Sequence, residues 1–219
     1  MWEAPGSTAW VTDVSSDDIA RLTSAIKERQ LSVGLAESMT GGALGEALVS
    51  LPGSGDWLAG GVISYMSRVK RDVLGVSDGP VISESAAIEM AVGAARILST
   101  RVGISTTGVA GPATMEGEPV GSTWIAVALD GRARARHYQF AGTPTGVRRQ
   151  AVAAAIRFAA HVVGARAATG AGGRSGPSRD ALVVPAAPSR NGMRAFRRAR
   201  KRARPAGHKE VSWQTRRAL

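Results

Sequence analysis

The segment Leu35-Ala36-Glu37-Ser38-Met39-Thr40-Gly41-Gly42 follows an apolar run that begins at Leu31, and it precedes the helix-forming residues 43–48. A short apolar stretch that ends in small polar residues and paired glycines is typical of a strand, a tight loop and a helix. Backbone N–H groups at such a helix start favour anionic or carbonyl oxygens, and a hydroxyl held there can act as a nucleophile. The segment therefore predicts an α/β fold with a pocket at this loop.

Composition narrows the classes of protein that fit the chain. Its 219 residues suffice for one domain of ordinary size and a tail. It has no cysteine and only three widely separated histidines, so we expect neither a disulfide, a thiolate site, a metal nor another cofactor. No apolar run reaches the roughly 18 residues of a membrane span, and no secretory signal is apparent at the N-terminus. We therefore expect a cytoplasmic protein without a membrane segment.

The charge is distributed unevenly along the chain. Residues 164–219 contain 14 of the 28 basic residues and two of the 17 acidic ones, so their net charge is +12 and that of residues 1–163 is −1. Few apolar residues and strong self-repulsion predict that this tail is disordered. Its arginine run at residues 194–204 either contacts nucleic acid weakly, through phosphates, or is a solvated extension without a role. The predicted division is an extension at 1–15, a domain at 16–163 and the basic tail at 164–219.

Strands and helices alternate within the predicted domain. We predict helices at residues 16–29, 41–50, 67–74, 83–98 and 145–163, and strands at 31–36, 60–65, 102–106, 123–129 and 134–140. The last two strands are predicted to pair as a hairpin across Asp130 and Gly131. This order predicts a layered α/β/α domain with a mixed sheet.

Three loops should gather at one edge of that sheet, because each follows the carboxyl end of a strand. They contain these polar residues and glycines: Glu37, Ser38, Thr40, Gly41 and Gly42; Ser64 and Tyr65, followed by Lys70; and Thr106, Thr107, Gly108 and Gly111. No histidine lies near them in sequence, so a lysine is the best proton acceptor for a serine or threonine hydroxyl, once burial or a nearby cation lowers its pKa. Plainer interpretations stay open: Ser38 or Thr40 as helix caps, and Lys70 as a solvated surface residue.

Taken together, these residues resemble the CinA C-terminal domain family, whose stand-alone members include the nicotinamide-nucleotide amidohydrolases. The matching segments lie at residues 36–42, 60–65 with Lys70, 107–112, and 119–121 leading into 124–126. The resemblance spans residues 16–163 and leaves the tail outside. It implies hydrolysis of the carboxamide of nicotinamide mononucleotide to nicotinic acid mononucleotide and ammonia, without a metal.

The resemblance also implies roles for single residues. Ser38 would be the nucleophile, and Lys70 and Tyr65 would activate it. Thr107, together with the backbone of Gly41 and Gly42, would hold the substrate or the oxyanion. Substrate contacts would come from the following residues: Glu37, Thr40, Gly41, Gly42, Ser64, Gly108, Gly111 and Arg148. The nucleotide is the expected partner, and an alanine-rich helix with a nearly neutral body predicts a homo-oligomer.

Two departures from the family pattern support an alternative. The loop 113–118 carries Glu116 and Glu118, whereas the family has a glycine-rich loop there. The family's arginine before the last helix is replaced by Pro144, and Arg148 is its nearest substitute. The alternative is a member of the family that binds a nucleotide without cleaving it, or that has altered specificity.

Overall fold

The computed structural model describes residues 13–165 and the backbone of residues 182–183. The helices are α1 (Ser16–Glu28), α2 (Ala43–Val49), α3 (Ser67–Val69), α4 (Glu84–Ile97) and α5 (Pro144–Gly164). The strands are β1 (Val33–Glu37), β2 (Leu58–Ile63), β3 (Val102–Gly108), β4 (Ser122–Leu129), β5 (Arg132–Gln139) and β6 (Leu182–Val183). A 3-10 turn, Ser54–Asp56, precedes β2, and a π-helical turn, Lys70–Leu74, continues α3.

Every predicted helix and strand is present, with bounds that shift by at most two residues. Local hydrogen bonds explain where the helices begin. The Ser15 hydroxyl accepts a hydrogen bond from the N–H of Asp18 at the start of α1, and the Ser83 hydroxyl caps α4 in the same way. β5 starts two residues earlier than predicted because Asp130 and Gly131, both with positive φ, make a two-residue turn.

The sheet is mixed, as predicted. Its five main strands lie in the order β2-β1-β3-β4-β5, with β2, β1 and β3 parallel and with β4 and β5 antiparallel to their neighbours. β6 adds two residues beside the start of β5, within the segment predicted to be disordered. The remaining predictions for the tail and for residues 1–12 lie outside the described residues.

Helices cover both faces of the sheet, which confirms the layered α/β/α class. α1, α2 and α5 pack on one face around the largest apolar cluster, which contains Leu35 of β1 and Ile156 of α5. α4 and the π-helical turn pack on the other face, where Ala36 and Met90 belong to a smaller cluster. Successive residues of β1 therefore point to opposite layers, as the pleat requires. Within residues 13–165, no helix is long and apolar enough to cross a membrane.

Candidate active site

A cavity of about 290 Å³ lies where β1 and β3 end, next to the chain that follows β2. Its lining includes all the residues that the sequence marked for catalysis: Ser38, Tyr65, Lys70 and Thr107. Gly108 and Gly111 line it as well. The structure thus brings together three segments that are far apart in sequence, because parallel strands present their carboxyl ends at one edge of the sheet.

The Glu37 side chain lies outside this cavity and caps the start of α2. Its carboxylate accepts hydrogen bonds from the backbone N–H groups of Gly42, Leu44 and Gly45 at 2.9, 3.1 and 2.8 Å. The residue is 2% exposed, so this anion is held by the protein's own helix terminus. Both carboxylate oxygens therefore have protein partners here, and the contact of Glu37 with substrate stays a prediction.

The backbone of the glycine pair is engaged too. The Gly41 N–H donates to the Ser38 carbonyl at 3.2 Å, and the Gly42 N–H donates to Glu37. In this structure both N–H groups therefore already have a partner, and the oxyanion role that the resemblance implies for them stays a prediction. The N–H groups of Met39 and Thr40 have no hydrogen-bond partner among residues 13–165.

Ser38 is well placed to react. It lines the cavity and is 7% exposed, and its N–H donates to the Thr106 carbonyl at 3.0 Å, which ties the loop to β3. Within residues 13–165 its hydroxyl makes no hydrogen bond, so the structure assigns that oxygen no structural task. The interpretation of Ser38 as a helix cap is not supported, because Glu37 caps α2 instead.

Three other residues predicted to bind substrate do not line the cavity. Thr40 is fully buried, and its hydroxyl bonds the Thr106 hydroxyl at 2.7 Å. Ser64 is also fully buried and donates its hydroxyl to the Glu37 carbonyl at 3.2 Å. Arg148 donates to the Thr40 carbonyl at 3.1 Å. Their observed contacts hold the loop 38–42 in place, and their direct contact with substrate stays a prediction.

Lys70 is a buried amine rather than a surface residue. It begins the π-helical turn, is 2% exposed and lines the cavity. Its Nζ donates to the carbonyl oxygens of Ser64 at 2.7 Å and Tyr65 at 3.4 Å. Removal of the amine from water lowers the pKa of Lys70 from 10.5 to about 8, while the Glu116 carboxylate raises it and the Arg71 guanidinium lowers it. Lys70 is thereby tuned toward the neutral form at moderately alkaline pH.

Tyr65 and Thr107 are exposed to very different degrees. Tyr65 is 74% exposed, so its ring lines the mouth of the cavity. Thr107 is 1% exposed, and its hydroxyl donates to the Val81 carbonyl at 2.7 Å. Because its one hydroxyl proton is already used, Thr107 can accept a hydrogen bond from a substrate but cannot donate one to an oxyanion.

Close packing of β3 against β4 explains why residue 108 is a glycine. A Cβ on Gly108 would lie 2.4 Å from the Ser122 carbonyl oxygen and 2.9 Å from the Met39 sulfur. Only glycine lets β3 approach β4 this closely beside the cavity. Among residues 13–165 no group of three or more histidine and acidic side chains is arranged to hold a metal ion.

Comparison with known proteins gives a consistent result. The sequence model described as the CinA C-terminal domain matches residues 17–163. A CinA-like protein from Gemmatimonas aurantiaca is 40% identical over 148 residues, which are 64% of this chain and 34% of that protein. A CinA-like protein from Thermosynechococcus vestitus is 41% identical over 138 residues, which are 59% of this chain and 32% of that protein. The chain spans about a third of the length of the curated relatives it matches.

Solved structures agree with the sequence comparison. A competence-damaged protein (CinA) superfamily protein from Escherichia coli is 31% identical with a TM-score of 0.61, and the match covers 70% of this chain and 97% of that one. Competence damage-inducible protein A from Klebsiella pneumoniae is 28% identical with a TM-score of 0.63, covering 66% of this chain and 94% of that one.

Proposed function

The chain belongs to the CinA C-terminal domain family, and we propose that it is an amidohydrolase that converts nicotinamide mononucleotide to nicotinic acid mononucleotide and ammonia. One observation carries the proposal: a buried lysine with a pKa near 8 lines the same cavity as a serine whose hydroxyl has no structural partner among residues 13–165. A hydroxyl becomes a nucleophile when a neighbouring base accepts its proton, and a neutral amine is such a base.

The hydrogen bonds of Lys70 suit this role. A neutral amine has two N–H bonds and one lone pair. The Ser64 and Tyr65 carbonyls accept from the N–H groups, which leaves the lone pair for the proton of Ser38. In the proposed first step Ser38 Oγ attacks the carboxamide carbon, its proton passes to Lys70 Nζ, and the carbonyl oxygen becomes an oxyanion. We assign that oxyanion to the Met39 N–H, which belongs to the residue after the nucleophile and has no partner within residues 13–165.

Collapse of the tetrahedral intermediate then breaks the C–N bond. The Lys70 ammonium returns its proton to the leaving nitrogen, ammonia departs and an ester remains on Ser38. Water attacks the ester carbon and gives a proton to Lys70, the C–O bond to Ser38 breaks, and the proton returns to Ser38 Oγ. The products are the free hydroxyl and a carboxylic acid, and the acid gives its proton to the released ammonia. Carboxamide and water thus become a carboxylate and an ammonium ion, and atoms and charge balance over the cycle. Thr107 accepts a hydrogen bond from the substrate NH₂, and Tyr65 covers the entrance.

Release of ammonia from nicotinamide mononucleotide by the purified full chain tests the proposal, with Ser38→Ala and Lys70→Met as matched variants. Both variants should lose turnover. Intact-mass measurement during rapid quenching should detect the nicotinoyl-nucleotide ester on the wild-type chain and not on Ser38→Ala. Undiminished ammonia release by Ser38→Ala rules out the serine mechanism.

A second candidate has its own support. Lys70 is the one cationic side chain among the described residues that line the cavity, and Thr143 and Pro144 form the start of α5 where the family has an arginine. Among the described residues that line the cavity, a nucleotide phosphate therefore finds no cation apart from Lys70, the amine that the first candidate uses as its base, which favours a binding protein or a changed substrate. Calorimetric binding of nicotinamide mononucleotide without ammonia release supports this candidate, and turnover of that nucleotide excludes it.

We further propose a homo-oligomer and a cytoplasmic location. Ile63, Tyr65 and Met66 are 56%, 74% and 58% exposed at the end of the edge strand β2, and apolar surface of this kind favours self-association. Light scattering that gives the 22.6 kDa mass of one chain contradicts the oligomer.

A further inference from the structure

A tight turn beside the cavity is built around an acidic residue. Met115 and Glu118 exchange backbone hydrogen bonds at 3.3 and 2.9 Å, so Glu116 and Gly117 are the two central residues of a hairpin turn. Both have positive φ, 54° for Glu116 and 81° for Gly117. Glycine tolerates this conformation, whereas for glutamate it costs roughly 1 kcal/mol. An asparagine would fit the turn better, so glutamate stands here against the local backbone preference.

The Glu116 side chain offsets this strain through contacts with a different segment. Its Oε2 accepts hydrogen bonds from the N–H groups of Val81 and Ile82 at 2.8 and 3.2 Å. The Val81 carbonyl in turn accepts the Thr107 hydroxyl at 2.7 Å. One carboxylate therefore links the turn, the segment before α4 and the end of β3. Val81, Ile82, Thr107 and Met115 all line the cavity, so these links join three parts of its wall.

We propose that Glu116 is a positioning residue of this site, whose carboxylate fastens the turn 115–118 to residues 81–82 and thereby fixes the Thr107 hydroxyl and the wall beside Lys70. The effect of Glu116 on turnover rests on the proposed amidohydrolase function. Its effects on the position of the cavity wall and on the pKa of Lys70 do not.

The charge of Glu116 acts on Lys70 in addition. Its carboxylate raises the pKa of Lys70 against the lowering by burial and by Arg71. Arg71 is itself paired with Asp78 at 3.2 Å. From α4, Arg96 reaches only carbonyls of the π-helical turn, at Val73 and Leu74. The carbonyl of Tyr65, itself a titratable residue, contacts the amine, and Arg68 and Asp72 lie two residues from Lys70 in the chain. Burial thus lowers the pKa of Lys70 most, and the Glu116 carboxylate is the acid that opposes this lowering.

Two substitutions separate the geometry from the charge. Glu116→Gln keeps an oxygen that can accept both N–H groups and removes the negative charge. Glu116→Asn suits the positive φ of the turn but is one methylene too short to reach Val81 and Ile82, so the relief of backbone strain offsets only part of the two lost hydrogen bonds. Glu118→Gln is the matched control, because Glu118 belongs to the same turn but accepts the Ser122 hydroxyl at 2.6 Å instead.

The first measurement is a titration of Lys70 that needs no turnover. The chain has four lysines, at positions 27, 70, 201 and 209, so lysine labelled at Cε gives four NMR signals, and the one missing from Lys70→Met is Lys70. We expect the Lys70 midpoint to move to lower pH in Glu116→Gln and to stay at the wild-type value in Glu118→Gln. Equal midpoints in Glu116→Gln and the wild type overturn the claim about charge.

The second measurement tests whether the cavity wall at residues 80–83 is held in place. Amide hydrogen exchange of a peptide covering residues 80–83 should be faster in Glu116→Asn than in wild type, and unchanged in Glu116→Gln and Glu118→Gln. In the ammonia assay, Glu116→Asn should lose about 10- to 100-fold in kcat/KM, as expected when a site is displaced by about an ångström. If residues 80–83 of Glu116→Asn exchange their amide hydrogens at the wild-type rate, the positioning role is overturned. Absent turnover by the wild type contradicts the proposed function, and the exchange and titration results still decide this inference.

Discussion

Lys70 is predicted to impose a steep alkaline rise on the reaction. With a pKa of about 8, only about one amine in eleven is neutral at pH 7, and about ten in eleven are neutral at pH 9. Because the neutral amine is the proposed base, kcat/KM should increase about tenfold over this interval and then level off. An ordinary lysine with a pKa of 10.5 would have a neutral fraction roughly 300-fold smaller at pH 7, so burial supplies most of the usable base.

The assay is initial-rate ammonia release from nicotinamide mononucleotide between pH 7 and 10. In this range the substrate phosphate, whose second pKa is about 6, keeps nearly constant charge. Lys70→Met should remove the rise and lower kcat/KM by about 100-fold or more. A profile that is flat from pH 7 to 9, or a rise that persists in Lys70→Met, refutes the assignment of Lys70 as the base.

The same pKa makes a prediction about stability, which serves as a control on folding. The folded pKa lies below the unfolded one, so the unfolded chain binds more protons between about pH 8 and 10.5, and stability rises with pH there. Below pH 8 both states are protonated and the penalty of burying the ammonium is fully present. Relative to Lys70→Met, the wild type should gain about 1 to 3 kcal/mol over this window, where the lower figure allows for solvent screening. Urea denaturation at several pH values measures this difference.

Three further predictions concern other parts of the chain. Glu37→Ala leaves three backbone N–H groups at the start of α2 without an acceptor, so urea denaturation should give a loss of about 3–5 kcal/mol, and a loss below about 1 kcal/mol contradicts the capping role. Gly108→Ala forces a Cβ against the backbone of β4 and should lower the melting temperature by roughly 10 °C or more, whereas Gly55→Ala, with no atom within 4 Å of its Cβ, should leave it unchanged. Removal of residues 166–219 should abolish retention on DNA at low salt, and retention that is unaffected shows that the basic tail is not the contact.

The fold was predictable because its determinants are local. The apolar run before Ser38, the hydroxyl caps of α1 and α4, and the turn at Asp130 each specify an element from a few neighbouring residues. The convergence of Ser38, Tyr65 and Thr107 was predictable as well, because it follows from strands that end at one edge of a sheet.

The hydrogen-bond partner of each polar side chain could not be predicted from the sequence. Glu37 and Ser38 are adjacent, yet one faces its own helix terminus and the other lines the cavity, since alternate residues leave a strand on opposite faces. The burial of Lys70 depends on a π-helical turn, which has no reliable sequence signal. In the sequence, Glu116 is notable only as an acid in a loop that is glycine-rich in the family. Its carboxylate accepts a hydrogen bond from Val81, which lies 35 residues earlier in the chain. Sequence patterns do not reveal a contact over that separation.

Ser38 and Lys70 are attached to strands that differ in how well the sheet supports them. Ser38 directly follows β1, which pairs with a strand on each side. Lys70 follows β2, which among the described residues pairs with β1 alone. A border strand peels away at a smaller free-energy cost than a central one. On gentle warming we therefore expect Lys70 to separate from Ser38 while the rest of the fold persists, so the proposed activity should be lost at a lower temperature than the fold.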